Sequence, residues 1–363
     1  MGDRIRVGLI GCGFYARNHL HAWRDLHGAG ADLVGVCDSD PAKARAAGDA
    51  FGVPWFTDAA ALIEAARPDL VDITTRMDSH RALARLAAER GVAAVVQKPL
   101  APRYEECVAI VETARRHGTF LAVHENFRFQ TPMRRVAATL ASGAIGVPNW
   151  GRLAFRTGFD VYRTQPYFYG EERLAILDVG IHVLDLARVF FGEVERVSCE
   201  TQRRNPKVRA EDTATMLLRH VSGAVSVVEC TYESRRIPDP FPEILLEIEG
   251  DAGSLIVSRG ERMTVTSQGL SWDEAIGGPP LPWTSRPWHV SQEAVLHTNA
   301  HMLDCLRTGR PAATSGEDNL KTYALVEAAY EAAATGRAVR PRQWPPAGEA
   351  AGAAGGAAGA GHG

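Results

Sequence analysis

Lysine is scarce in this chain. Only Lys43, Lys98, Lys207 and Lys321 stand among its 40 basic residues, so arginine carries nearly all of the positive charge. Cysteine is scarce too. Six cysteines, at positions 12, 37, 107, 199, 230 and 305, lie far apart with no CxxC pair. That spacing excludes a disulfide framework and a zinc knuckle, and it reads as the reduced thiols of a cytoplasmic protein. No run approaches the roughly 18 apolar residues of a membrane helix, and the opening MGDRIRVGLIG carries no leader pattern. A surplus of basic charge is also missing: 40 Lys and Arg against 43 Asp and Glu leave a net charge of −3, so nucleic acid is not an expected partner. What is present is 363 residues, 45% hydrophobic and 23% charged, enough for two domains with cores of their own.

The chain changes grammar part-way. Through residue 127, short apolar runs (4–11, 31–38, 70–75, 93–97 and 120–127) alternate with helical stretches such as 81–91 and 104–118. Strands apolar on both faces between helices predict a doubly wound parallel sheet over residues 1–130. Beyond residue 150, runs such as 194–202, 212–221, 224–233, 243–250 and 254–260 follow one another through Gly-rich turns. Their alternation of polar and apolar residues predicts an α+β domain over 131–344, built on an open, mainly antiparallel sheet. Helices are expected at 291–308 and 315–335, the latter capped by Thr314 or Ser315. The Ala/Gly-rich tail 345–363 cannot form a core and is expected to be disordered.

Three stretches carry chemistry. The first, VGLIGCGFYARNHL, sets Gly11-x-Gly13-x-x-Ala16 between a strand and a helix, with Asp38 ending the next strand. Glycines there allow a tight turn and close approach of a pyrophosphate, while the helix N-terminus favours its charge. Asp38 can accept from both ribose hydroxyls and would repel a 2′-phosphate, which favours NAD over NADP. It can equally serve as a strand-end turn residue, since DSDP is good turn chemistry. The second, AILDVGIHVLDLARVFFG, is an apolar helix carrying Asp178, His182 and Asp185 at i, i+4 and i+7. A carboxylate one turn from an imidazole can orient it for acid–base work, and the competing reading is a set of paired core polars joining two domains. The third, AAVVQKPLAP, ends a buried strand in Lys98 and Pro99, where burial would be costly for an ammonium. Such a lysine leaves the strand at the edge where parallel sheets bind ligands, with Pro99 turning the chain after it through a bond that can be cis. No metal site is expected: His297 and His301 are spaced i, i+4 but lack a nearby pair of carboxylates.

Together these residues resemble the Gfo/Idh/MocA oxidoreductases over roughly residues 4–341. Gln97-Lys98-Pro99 is similar to that family's EKP motif, and Asp178-x-Gly180-x-His182-x-x-Asp185 to its DxGxHxxD helix. HENFRF (124–129) and SGAIGVP (142–148) resemble a further strand end and connector. Two features depart: Gln97 replaces a glutamate, and Thr75-Arg76-Met77-Asp78-Ser79-His80 lacks the proline of its loop.

The resemblance implies an NAD-dependent dehydrogenase that moves a hydride between a sugar or polyol CH–OH and nicotinamide without a metal. His182 would exchange the hydroxyl proton, Asp178 would orient it, and Lys98 would donate to the reacting oxygen. Cofactor contacts are implied for Gly11, Gly13, Phe14, Tyr15, Ala16 and Asp38, and also for Thr75, His80, Gln97 and Lys98. Substrate contacts are expected from Asn126, Arg128, Arg156 and Tyr162 beside Asp178 and His182; a polar pocket of this kind suits an aldose, pentose or inositol. HENFRFQ, FRTGFDVY and QPYF are similar to stretches of dehydrogenases acting on pentoses such as D-apiose. The alternatives within the resemblance are tightly held NAD used transiently for glycoside hydrolysis or epimerisation, and a non-catalytic NAD-binding regulator. A homodimer or homotetramer through the second sheet is expected, because a half-covered sheet must hide its other face.

Overall fold

A computed structural model describes residues 4–344, so the Ala/Gly-rich tail lies outside the described residues. In the first half, strands β1 (Ile5–Ile10), β2 (Ala31–Cys37), β3 (Trp55–Phe56), β4 (Leu70–Ile73), β5 (Ala93–Gln97) and β6 (Leu121–His124) alternate with helices. These helices are α1 (Ala16–Asp25), α2 (Pro41–Phe51), α3 (Ala59–Ala66), α4 (Met77–Glu89) and α5 (Tyr104–His117). Local chemistry sets several of their ends. Asp40 caps α2 by accepting from the Ala42 amide at 2.9 Å, and Asp58 caps α3 through Ala61 at 2.9 Å. Gly52 and Gly118 close α2 and α5 in left-handed geometry.

The six strands form one parallel sheet in the order β3-β2-β1-β4-β5-β6. Order reverses between β1 and β4, and a sheet of this kind binds ligands in the crevice at such a switch point. Leu9, Val95 and Val96 have no exposure, as strands covered on both faces require.

The second half carries α6 (Thr131–Ala141), β7 (Pro148–Arg156), α7 (Ile181–Phe191), and β8 (Val194–Gln202). Next come β9 (Thr213–His220), β10 (Val225–Thr231), β11 (Leu245–Gly250), β12 (Gly253–Ser258), β13 (Arg262–Ser267) and β14 (Leu270–Ala275). Helices α8 (His289–Thr308) and α9 (Gly316–Thr335) close the described chain, with Ser315 capping α9 by accepting from the Asp318 amide. The eight strands order as β14-β13-β12-β11-β7-β10-β9-β8, antiparallel except where β10 lies parallel to β7. Along β9, Met216 and Leu218 are buried while Thr215, Leu217 and Arg219 are exposed, so one face is packed and the other open.

Chain order and packing diverge at α8. Met302, Leu303 and Cys305 pack with Val7, Trp23, Leu70 and Val95, covering one face of the parallel sheet. The core of the first half therefore draws on a helix from the far end of the chain. A second difference lies before α7: Ile176–Gly180 is a π-helical turn rather than the start of the α-helix.

Candidate active site

The turn after β1 is built for close approach. Gly11 has φ +99°, and a Cβ there would lie 2.8 Å from the Thr75 amide nitrogen, where the β1 and β4 ends meet. At Gly13, by contrast, a Cβ would meet nothing within 4 Å. Open space beside a glycine at the N-terminus of α1 fits a pyrophosphate, so the turn fits the cofactor that its sequence implies. Ala16 is buried at the start of α1. Asp38 accepts from the Cys12 amide at 2.7 Å and from the Asp40 amide at 2.9 Å, which holds its carboxylate beside this turn. Each oxygen retains a lone pair for a ribose hydroxyl.

The remaining residues of the cofactor expectation divide. Phe14 is 65% exposed and meets the Trp288 ring edge-on at 6.1 Å. Tyr15 is half-buried with its hydroxyl on Asn126, and desolvation raises its phenol pKa. Thr75 accepts from the Ser79 hydroxyl at 2.7 Å. His80 is fully engaged within the protein: its ring nitrogens lie 3.1 Å from the Thr75 carbonyl and 3.2 Å from that of Leu100. It clamps two loops together rather than facing open space.

Lys98 follows β5, and its bond to Pro99 is cis. Its ammonium donates to the Asp178 carbonyl at 2.7 Å and to the Asp178 carboxylate at 2.8 Å. The Tyr232 hydroxyl donates to the other carboxylate oxygen. Burial pushes the Asp178 carboxyl up, but Lys98 and Tyr232 together hold it below the usual carboxylate range. The Tyr232 phenol moves the opposite way, well above its ordinary value, through burial and the adjacent Asp178 charge. Lys98 thus keeps one N–H free while two are anchored.

His182 is held by a different carboxylate from the one that helical spacing suggests. Its Nδ1 pairs with Glu125, the residue after β6, and its ring stacks on Phe127 with centroids 3.8 Å apart and planes 2° from parallel. Asp178 does not orient it. The π turn carries more residues per turn than an α-helix, so Asp178 is rotated off the His182 stripe and onto Lys98. Burial, then the Lys98 charge, pushes the His182 pKa well below its ordinary value. Glu125, fully buried, is pushed up to about 7 by burial against the pull of Lys98 and Arg128. Both shifts favour an uncharged imidazole, whose Nε2 has no hydrogen-bond partner among the described residues.

Four expected substrate contacts are committed elsewhere. Asn126 donates to the Tyr15 hydroxyl at 2.9 Å. Arg128 grips Asp185 with two nitrogens, reaches Asp318 at 3.2 Å and donates to the Ala313 carbonyl at 2.7 Å. Asp185 is therefore a paired core carboxylate, also accepting from Thr322 at 2.9 Å. Arg156 pairs with Glu229 at 3.1 Å beside Arg152 on the second sheet. Tyr162 is buried, stacked on Tyr169 at 4.8 Å with its hydroxyl 3.5 Å from Glu233. His297 and His301 turn to Thr131 and to the Ala313 amide. Among the described residues, no group of three or more His, Cys, Asp or Glu is arranged to hold a metal. Three site residues escaped the sequence: Glu125, Phe127 and Tyr232. A carboxylate at the end of the last parallel strand was the available signal for Glu125; nothing near position 178 points to Tyr232.

A model of the oxidoreductase family with an NAD-binding Rossmann fold matches residues 5–125, and a model of the GFO/IDH/MocA C-terminal domain matches 133–256. The chain belongs to the Gfo/Idh/MocA oxidoreductase family. Among the relatives of this oxidoreductase is the D-apiose dehydrogenase of Paraburkholderia graminis, 47% identical over 93% of this chain and 89% of that one. The D-apiose dehydrogenase of Rhizobium rhizogenes is 48% identical over 92% of this chain and 97% of that one. A crystal structure of an oxidoreductase from Agrobacterium radiobacter in complex with NAD+, L-tartaric acid and magnesium superposes with a TM-score of 0.91. It is 47% identical and covers 93% of this chain and 98% of its own. Levoglucosan dehydrogenase, at 22% identity and a TM-score of 0.80, shares the fold.

Proposed function

We propose that this oxidoreductase oxidises a sugar CH–OH with NAD, and that D-apiose is its substrate. The observation that carries the substrate is the near-half identity to two D-apiose dehydrogenases over nine-tenths of the chain. When bound, NAD supplies the acceptor for the hydrogen that leaves the carbon with its electron pair. His182 Nε2 takes the hydroxyl proton, while Glu125 on Nδ1 supports the imidazolium that results. The free N–H of Lys98 donates to the reacting oxygen as negative charge develops there. Asp178 and Tyr232 fix the ammonium, and the Phe127 ring fixes the imidazole plane. Gly11, Gly13 and Asp38 hold the dinucleotide, and the Asp38 charge disfavours a 2′-phosphate.

The open face of the second sheet presents Leu217 and Ile256, 50% and 41% exposed, and it is the face on which we place a homodimer or homotetramer contact. Among the described residues no helix is long and apolar enough to cross a membrane. Six free cysteines support a reducing, cytoplasmic setting.

A panel of aldoses, pentoses, polyols and inositols, followed at 340 nm with NAD, tests the substrate. The expected result is the highest kcat/KM with D-apiose. Turnover confined to inositols or polyols overturns the assignment.

A further inference from the structure

Beneath Lys98 lies a hydrogen-bond chain of single polarity. The Lys98 backbone N–H donates to Gln97 Oε1 at 2.8 Å, which fixes the amide, because only its oxygen can meet an N–H. The Gln97 nitrogen therefore faces His19 Nε2, 3.2 Å away. An amide nitrogen only donates, so Nε2 must accept, and the ring proton sits on Nδ1, 2.8 Å from Asp72 Oδ2. Trp23 Nε1 donates to the same oxygen at 2.7 Å. His19, Trp23 and Asp72 are all without exposure.

We infer that Gln97 is a positioning residue: its amide locks His19 in the Nδ1–H tautomer and holds the hydrogen-bond chain beneath Lys98 in a single polarity. The inference rests on the reading of Lys98 as the donor to the reacting oxygen. Groups from several elements pack around His19. Asp72 faces it from β4, Gln97 from β5, Tyr15 from the turn before α1 at 5.7 Å, and the His124 ring from β6 at 4.2 Å between centroids. Burial pushes the Asp72 carboxyl up, but the donors His19 and Trp23 hold it below the usual carboxylate range. His124, held by Asn299 from α8, is pushed down to about 3, chiefly by burial. Of the charged groups, Lys98 follows Gln97 directly in the chain and Glu125 follows His124.

A glutamate at position 97 would accept from the Lys98 N–H and turn its second oxygen toward the His19 lone pair. Two acceptors then face each other, and the pair closes only by taking up a proton. Its occupancy follows pH: present below the pair's apparent pKa, lost above it. The loss would disturb the backbone that aims Lys98.

The test compares kcat/KM of wild type and Gln97→Glu between pH 6 and 9.5, with saturating NAD. The wild-type to Gln97→Glu ratio is expected to rise with pH by about tenfold or more, the signature of one added proton. Adding His19→Gln restores an amide opposite the carboxylate and flattens that ratio. A ratio independent of pH in Gln97→Glu overturns the inference. A second measurement needs no variant enzyme to be active. In ¹⁵N-histidine-labelled holoenzyme, with His19 assigned by loss of its signals in His19→Gln, the imidazole should show a protonated Nδ1 and a bare Nε2 from pH 6 to 9. A protonated Nε2 overturns it. Failure of Lys98→Ala to slow turnover would instead refute the role of Lys98 and leave the tautomer standing.

Discussion

Replacing Glu125 with glutamine removes one charge from the site while keeping its shape and an oxygen that can accept from His182 Nδ1. In the proposed reaction, the wild-type carboxylate stabilises the imidazolium formed when Nε2 takes the substrate proton. Two opposite charges about 4 Å apart at an effective dielectric near 20 interact by about 4 kcal/mol, which corresponds to roughly 10³-fold in rate. The expected fall in kcat/KM for sugar oxidation is therefore about 10²- to 10⁴-fold, a range typical of losing a positioned acid–base partner. NAD affinity should change by less than about threefold, because Glu125 is fully buried and bonded to His182 rather than presented to the dinucleotide.

The pH dependence has a definite sign. Burial raises the Glu125 pKa from 4.5 to about 7. Below that value the carboxyl is protonated and no longer supports an imidazolium, so wild-type kcat/KM for oxidation should rise with pH through about 7. Stability runs the other way, since a raised folded pKa means stability is fully present below 4.5 and is lost as pH rises through the folded value. A shift from 4.5 to about 7 amounts to about 3 kcal/mol at pH 8. The glutamine variant escapes this loss, so its stability relative to wild type should improve from pH 5 to pH 8 in urea titrations. Wild-type-like turnover in Glu125→Gln, or a stability difference independent of pH, would refute the pairing.

Arg128→Ala strips a buried guanidinium from Asp185 and Asp318 and should cost about 3–5 kcal/mol, read as a lower urea midpoint. In the folded variant, KM for sugar should move less than about threefold, because Arg128 is committed to the core rather than to substrate. Gly11→Ala would place a Cβ 2.8 Å from the Thr75 nitrogen at a φ that L-residues avoid. Its NAD affinity, followed by quenching of intrinsic fluorescence, should weaken at least about tenfold. Asp38→Ala removes the charge opposing a 2′-phosphate, so the ratio of kcat/KM for NAD to that for NADP should fall by at least about tenfold.

Local rules made much of this molecule legible. The glycine pattern before α1, the alternation of strand and helix, and the lysine closing β5 each depend on residues within a few positions of one another. Where geometry departs, the partners are distant or the period is wrong. Reading 175–192 as a uniform helix puts Asp178 on the His182 face; the π turn Ile176–Gly180 breaks the 3.6-residue period and sends it to Lys98. The true partner of His182 is Glu125, 57 positions away, a pairing that only the docking of α7 against the segment after β6 creates. Arg128 and Arg156 illustrate the same gap. Each stands near a strand end where a ligand contact is reasonable, yet Asp185 and Glu229, far off in sequence, take them. Chain order also hid the return of α8 to the first sheet, since an apolar helix face does not name the surface that it covers.

The central claim is that Lys98 and His182 together drive NAD-dependent oxidation of a sugar in this cleft. Initial rates of NADH formation from D-apiose by wild type, Lys98→Ala and His182→Ala, with NAD affinity measured alongside, test it most directly. Wild type should release NADH steadily, each variant should lose about 10²- to 10⁴-fold, and NAD affinity should stay within about threefold of wild type. No NADH from D-apiose by the wild-type enzyme, or turnover that survives both substitutions, would contradict it.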